Sequence, residues 1–194
     1  MSSAPTASAA VPASAPSSSP MPSGPDRALE DLVEHVRTRF YGLYRGIVTD
    51  NDDPNSLGRI QAQVPAVFGS VSTGWCMPCV PYAGSQVGMA FLPEIGSGVW
   101  IAFEGGDVSF PVWVGGYWRG SELPSDVAPD VKVIVTSSSL ELKLDDDASS
   151  ITLSDSNGNT VTLDSSGITL SNGGQQVVIS SSSVSVNDGA LEVT

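Results

Sequence analysis

The chain carries two cysteines, Cys76 and Cys79, in the string TGWCMPCVPYAG at residues 73–84. A Trp-Cys-x-Pro-Cys spacing is that of a thiol–disulfide redox centre, whose first cysteine is activated by a helix N-terminus. Here the string runs on into VPYAG, which cannot start a helix. Cys76 and Cys79 are therefore expected to be buried structural thiols that pack as small hydrophobes. A local disulfide, a shared metal and redox catalysis are the competing readings. One CxxC with a single histidine elsewhere, His35, cannot complete a zinc site within one chain.

Other chemistry-bearing residues point no more firmly to a reaction. DNDDPN at 50–55 begins like a calcium loop, but its sixth position is Asn55 rather than Gly and its twelfth is Gln61 rather than Glu. Asp52, Asp53 and Pro54 are expected to form a tight hairpin turn. Asp145–Asp147 reads as a solvated acidic turn, and His35 as a surface residue of a helix. Neither a Gly-rich phosphate loop nor a G-x-S-x-G elbow occurs. The sequence thus assigns no catalytic residue, no cofactor and no metal ligand, and the expectation is a protein that is not an enzyme.

At 194 residues there is room for one ordinary domain plus an extension. The net charge of −13 repels phosphate backbones, which argues against nucleic acid as a partner. No stretch approaches the ~20 apolar residues of a membrane span. The N-terminus lacks the basic start and apolar run of a secretory signal, so synthesis in a reducing cytoplasm is expected.

Composition divides the chain. Residues 1–25 are Ala, Ser and Pro almost throughout, an arm that cannot bury enough apolar surface to order itself. Residues 26–39 read as an amphipathic helix capped by Asp26, with Leu29, Leu32, Val33, Val36 and then Phe40 on one face. From residue 40 to 118 the pattern changes to short β-rich runs, YGLYRGIVTD, GRIQAQVPAV, GWCMPCVPYA, GMAFLPEI, GVWIAFEGG and FPVWVGGYW. Five or six strands in such a length predict a small barrel. Residues 119–130 read as a linker.

Residues 131–194 are an internal repeat. The alternating triplets VIV, LELKL, ITL, VTL, ITL, VVI, VSV and LEV are separated by turns such as SDSNGN, DSSG and SNGG. Each triplet offers one narrow apolar face, and this segment supplies neither a helix nor an aromatic filler to cover it. The simplest burial is against copies of itself, three chains about one axis. The expected axis residues are Val133, Val135, Leu142, Ile151, Leu153, Val161, Leu163, Ile168, Leu170, Val177, Ile179, Val184 and Val186. Eight strand levels at ~4.8 Å would make a needle of roughly 40 Å.

Two stretches resemble a known family. FYGLYRGIVTDNDDPNSLGRIQAQVP at 40–65 is similar to the opening strands of the phage baseplate assembly protein V family, and GMAFLPEIGSGVWIAFEGGDVSFPVWVGGYW at 88–118 to its closing strands. The region also resembles the OB-fold of VgrG spikes from type VI secretion and other contractile injection systems. The resemblance implies an all-β chain: an OB-fold barrel followed by an intertwined trimeric β-helix needle, with a short N-terminal helix. It implies a structural central spike of a contractile phage-tail-like machine, joining a tube or hub to a membrane-piercing tip. A trimeric fibre or adhesin-like binding module is the alternative. Assembly in the cytoplasm into such a particle would follow, with the membrane only a pierced target.

The family's lysozyme insertion, hub domain and His-x-His iron tip have no counterpart here, so a separate PAAR-type tip protein is implied. The sequence closes on ALEVT inside a strand triplet, with no turn or plug. The tip protein is therefore expected on the last two strand levels, at Val184, Val186, Leu191 and Val193, with a hub or inner-tube protein at the barrel end.

Overall fold

The shift from helical to strand periodicity near residue 40 is where the chain changes element. The computed structural model describes residues 24–193, so nearly all of the expected arm lies outside the described residues. The chain splits between Gly116 and Tyr117 into two units.

In the first unit, helix α1 spans Pro25–Arg37. Proline suits a first helical turn, where its missing N–H would have had no acceptor. Gly24 holds the cap position, so Asp26 lies inside the helix rather than capping it. The helix ends two residues before the expected boundary: Thr38 turns back, its Oγ1 donating to the Glu34 carbonyl at 2.9 Å. Phe40, read as part of the apolar stripe, instead packs on the barrel core, edge-on to Tyr44 and Phe103.

The barrel follows as β1 (Tyr44–Asp50), β2 (Gln61–Gln63), α2 (Pro65–Phe68), β3 (Met77–Pro78), β4 (Ala83–Gly84), β5 (Val87–Gly88), β6 (Gly98–Phe103) and β7 (Pro111–Tyr117). The main sheet has the order β2-β1-β6-β7-β3, with β3 parallel to β7. Isolated bridges from Ile60 to Cys76 and from Gln63 to Ser72 tie the β2 end back to the segment before β3, which closes the sheet. Inside sit Val48, Ile60, Ala62, Val64, Cys76, Val99, Ile101, Phe103 and Trp113. Two expected strands are shorter than their apolar runs. Pro65 cannot donate to a ladder and starts α2 instead. β5 stops at Gly88, and GMAFLPEI continues as irregular chain held by the Asn51 amide donating to the Pro93 carbonyl at 2.9 Å.

The second unit is a single meander of eight strands: β8 (Val131–Val135), β9 (Glu141–Asp145), β10 (Ser150–Ser154), β11 (Thr160–Asp164), β12 (Gly167–Ser171), β13 (Gln176–Ile179), β14 (Val184–Val186) and β15 (Leu191–Val193). Each strand after β8 pairs antiparallel with the one before it. The architecture of the described residues is thus predominantly β with short helices.

Candidate trimer interface

Residues directly opposite in an antiparallel ladder project from the same face of the sheet. In the tail this turns the repeat into two continuous columns. One runs Leu144, Ile151, Leu163, Ile168, Ile179, Val184 and Val193; the other runs Leu142, Leu153, Val161, Leu170, Val177, Val186 and Leu191. The opposite face carries Lys143, Thr152, Thr162, Thr169, Val178 and Ser185 in register. The tail is therefore a two-faced sheet with a nearly unbroken aliphatic side.

The register corrects one part of the sequence reading. Val133 and Val135 pair with Lys143 and Glu141, on the face opposite the columns, and Ile134 stands in line with Leu142. The run VKVIV is apolar on both parities, so its alternation could not say which side faces the ladder.

That aliphatic side is uncovered in the single chain. Leu153 is 48% exposed and Leu170 42%. Among the described residues, every buried apolar side chain lies between Val48 and Trp113, within the barrel. The tail has regular strands but no core of its own, and a contiguous apolar face of this kind marks an association surface.

The turns that hold the ladder are built from short polar side chains. Asp155 accepts from the backbone N–H of Asn157 and Asn159 at 2.8 and 2.9 Å, and from the Asn159 amide at 2.7 Å. These donors, with Asn159 foremost, lower its carboxyl to a pKa of about 2. Asp164 likewise accepts from Ser166 and sits below the usual carboxylate range. At the β11–β12 turn Gly167 has φ +140°, and a Cβ there would come within 2.1 Å of the Ile179 carbonyl oxygen. Asp146 of the acidic turn forms an ion pair with Lys132.

In the barrel the two cysteines part ways. Cys76 is buried, as expected, with Sγ 3.1 Å from Thr73 Oγ1, and burial pushes its thiol up to about 11. Cys79 is exposed, contrary to expectation: it follows β3, where its N–H donates to the Trp113 carbonyl while its side chain points outward. Cys76 is bridged to Ile60 in a closing segment of the barrel and not at a helix N-terminus, so its raised pKa keeps it a protonated, poorly nucleophilic thiol.

The acidic stretch at 50–55 resolves into a turn locked by one residue. Asp53 accepts from Asn55 N at 3.0 Å and Leu57 N at 2.8 Å, and takes a two-pronged contact from Arg59 at 2.6 and 3.0 Å. The Arg59 guanidinium holds its carboxyl well below the usual range. With its oxygens occupied in this way, Asp53 works as the organiser of a loop. The Arg59 guanidinium also lies 5.6 Å from the Trp75 ring centroid, an arrangement that no spacing rule in the sequence announces. His35 lies exposed on α1. No group of three or more His, Cys, Asp or Glu side chains placed to hold a metal occurs among the described residues.

Two family models match this chain, one on each unit. Residues 44–118 match the type VI secretion system/phage-baseplate injector OB domain, and residues 132–192 match the phage baseplate V C-terminal trimerisation domain. The second match covers the strands that carry the exposed aliphatic columns. No curated protein matches the chain.

Proposed function

This chain belongs to the phage baseplate V family, and on that footing we propose that its homotrimer is the central spike of a contractile, phage-tail-like injection machine. The structural role in a baseplate particle follows from the family. The finer reading is that the barrel end meets a hub or inner-tube protein and that the tail is a needle, wound from three chains into a β-helix, that carries a piercing tip. On this reading the particle is assembled in the cytoplasm. The chain contributes no catalysis, and the membrane is only the target.

The observation that supports this reading is the pair of aliphatic columns. Bringing three such faces together would exclude water from an axis lined by Leu, Ile and Val and leave the threonine face outside. Full burial of an exposed Leu, Ile or Val contributes about 1.5–3 kcal/mol, and side chains such as Leu153 and Leu170, 48% and 42% exposed in the single chain, would gain roughly half of that each. A shaft of this kind bears load well for two reasons. Successive strands are joined by backbone hydrogen bonds along the direction from β8 to β15, and a packed aliphatic interior has low compressibility.

The expected tip contact is at the other end of the same ladder. β15 is an edge strand, and Leu191 and Val193 are more than half exposed. An open strand edge together with apolar ends favours a capping partner. A small PAAR-type protein seated on Val184, Val186, Leu191 and Val193 would cover both. Deleting residues 184–194 should abolish binding of that tip protein while the remaining chain stays trimeric. Retention of the tip by the truncated trimer would contradict the assignment.

A further inference from the structure

Helix α1 presents a second apolar surface that the tail does not account for. Leu29, Leu32, Val33 and Val36 lie on one side of it and all are exposed, from 41% to 61%. An isolated helix of this length is marginal in water, so its stripe needs cover. Its C-terminal root is fixed: Arg39 pairs with Asp107 at 2.7 Å, and the Phe40 N–H donates to the Gly106 carbonyl at 2.8 Å.

We infer that the α1 helices of three copies pack together through Leu29, Leu32 and Val36 as a short parallel three-helix collar. The spacing of these residues, three and then four apart, is that of alternating seam positions in a heptad. In that frame Glu30, Asp31, Glu34 and Arg37 fall on positions away from the seam. The positions flanking it are Asp26, Ala28, Val33 and His35, so a single acidic residue, in the first helical turn, falls beside it. Identical parallel helices therefore meet without rows of like carboxylates at their contact edges, the places where a dissimilar partner would be selected by complementary charge. Each α1 is joined through a fixed root to a chain whose tail carries a trimerisation domain. Three copies are thus held at high local concentration, which turns a weak helix–helix contact into an intramolecular one.

The inference rests on the trimer and not on the spike reading, and its test separates the two. In a full-length Cys79→Ala background, Leu32→Cys and Glu34→Cys are prepared and mild oxidant is added. Sedimentation on the same samples reports whether the trimer is present. The collar predicts that Leu32→Cys gives disulfide-linked pairs, at most two of the three chains, and that Glu34→Cys remains unlinked. Val36→Cys should behave as Leu32→Cys does, which guards against a local folding defect at either site. Equal linking at Leu32 and Glu34, or no linking at Leu32 and Val36 in an intact trimer, would overturn the collar. So would linking that appears only after a tube or hub protein is added.

Discussion

Ile151 and Leu163 stand directly opposite each other across β10 and β11, and each remains 40% exposed in the single chain. A cross-strand aliphatic pair stabilises a sheet most when something covers it. Here the same relation recurs from Leu144 to Val193, so the uncovered face is a property of the whole tail.

The face assignment is tested by charge. Val161→Asp or Ile168→Asp would place three like charges around an apolar axis, costing several kcal/mol per trimer. Thr162→Asp and Thr169→Asp sit one residue away on the opposite face and should leave the sedimentation profile unchanged. The Val133→Asp and Ile134→Asp pair makes the same comparison at β8, with the larger loss predicted for Ile134. Equal losses within either set would contradict the assignment.

Gly167→Ala should destabilise the tail by more than about 1 kcal/mol, because its positive φ strains any side chain and the added methyl meets the Ile179 carbonyl. Thermal melting of the trimer reads this directly. A melting point equal to the unsubstituted chain would mean that the β11–β12 turn is not formed as described.

Acid should loosen the molecule through its organised carboxylates. Asp53, held down chiefly by Arg59, and Asp155, lowered from 3.8 to about 2 chiefly by Asn159, both have folded values below their unfolded ones. Their contribution is therefore fully present above 3.8 and is lost as the pH falls through the folded values. Stability should hold from neutral pH to just above 4 and decline below that. Asp53→Asn should lower the melting temperature at pH 7 and flatten part of that acid dependence. A variant that melts as the unsubstituted chain does at every pH would remove Asp53 from its role.

The thiols are predicted to react unequally. At neutral pH an alkylating reagent should label Cys79 in the folded trimer and reach Cys76 only after unfolding, consistent with its burial and raised pKa. Cys79→Ala should be neutral. Cys76→Ala should lower stability by roughly 1 kcal/mol through lost packing. Rapid labelling of Cys76 in the folded protein would contradict its place in the core.

Much of this architecture is legible in the residues, for identifiable reasons. The triplets ITL, VTL and VSV alternate with period two between strong turn formers, so both the strands and their apolar side can be read directly. VKVIV cannot be read so, because valine or isoleucine occupies both parities. The barrel was predictable as a set of short strands, while the exposure of Cys79 was not: it depends on the parallel pairing of Met77–Pro78 with Val112–Trp113, a contact between segments far apart in sequence. The Asp53–Arg59 fork escaped for the opposite reason. A turn rich in Asp and Asn offers several acceptors, and only the fold selects which one takes the guanidinium.

Among the described residues the tail buries no apolar side chain of its own, and threefold association would give it a core. Sedimentation equilibrium of the full chain at micromolar concentration tests it most directly. A species of three times the 20.0 kDa chain mass is expected, lost in Ile168→Asp but not in Thr169→Asp. A stable, folded 20.0 kDa monomer with its aliphatic columns still exposed would contradict it.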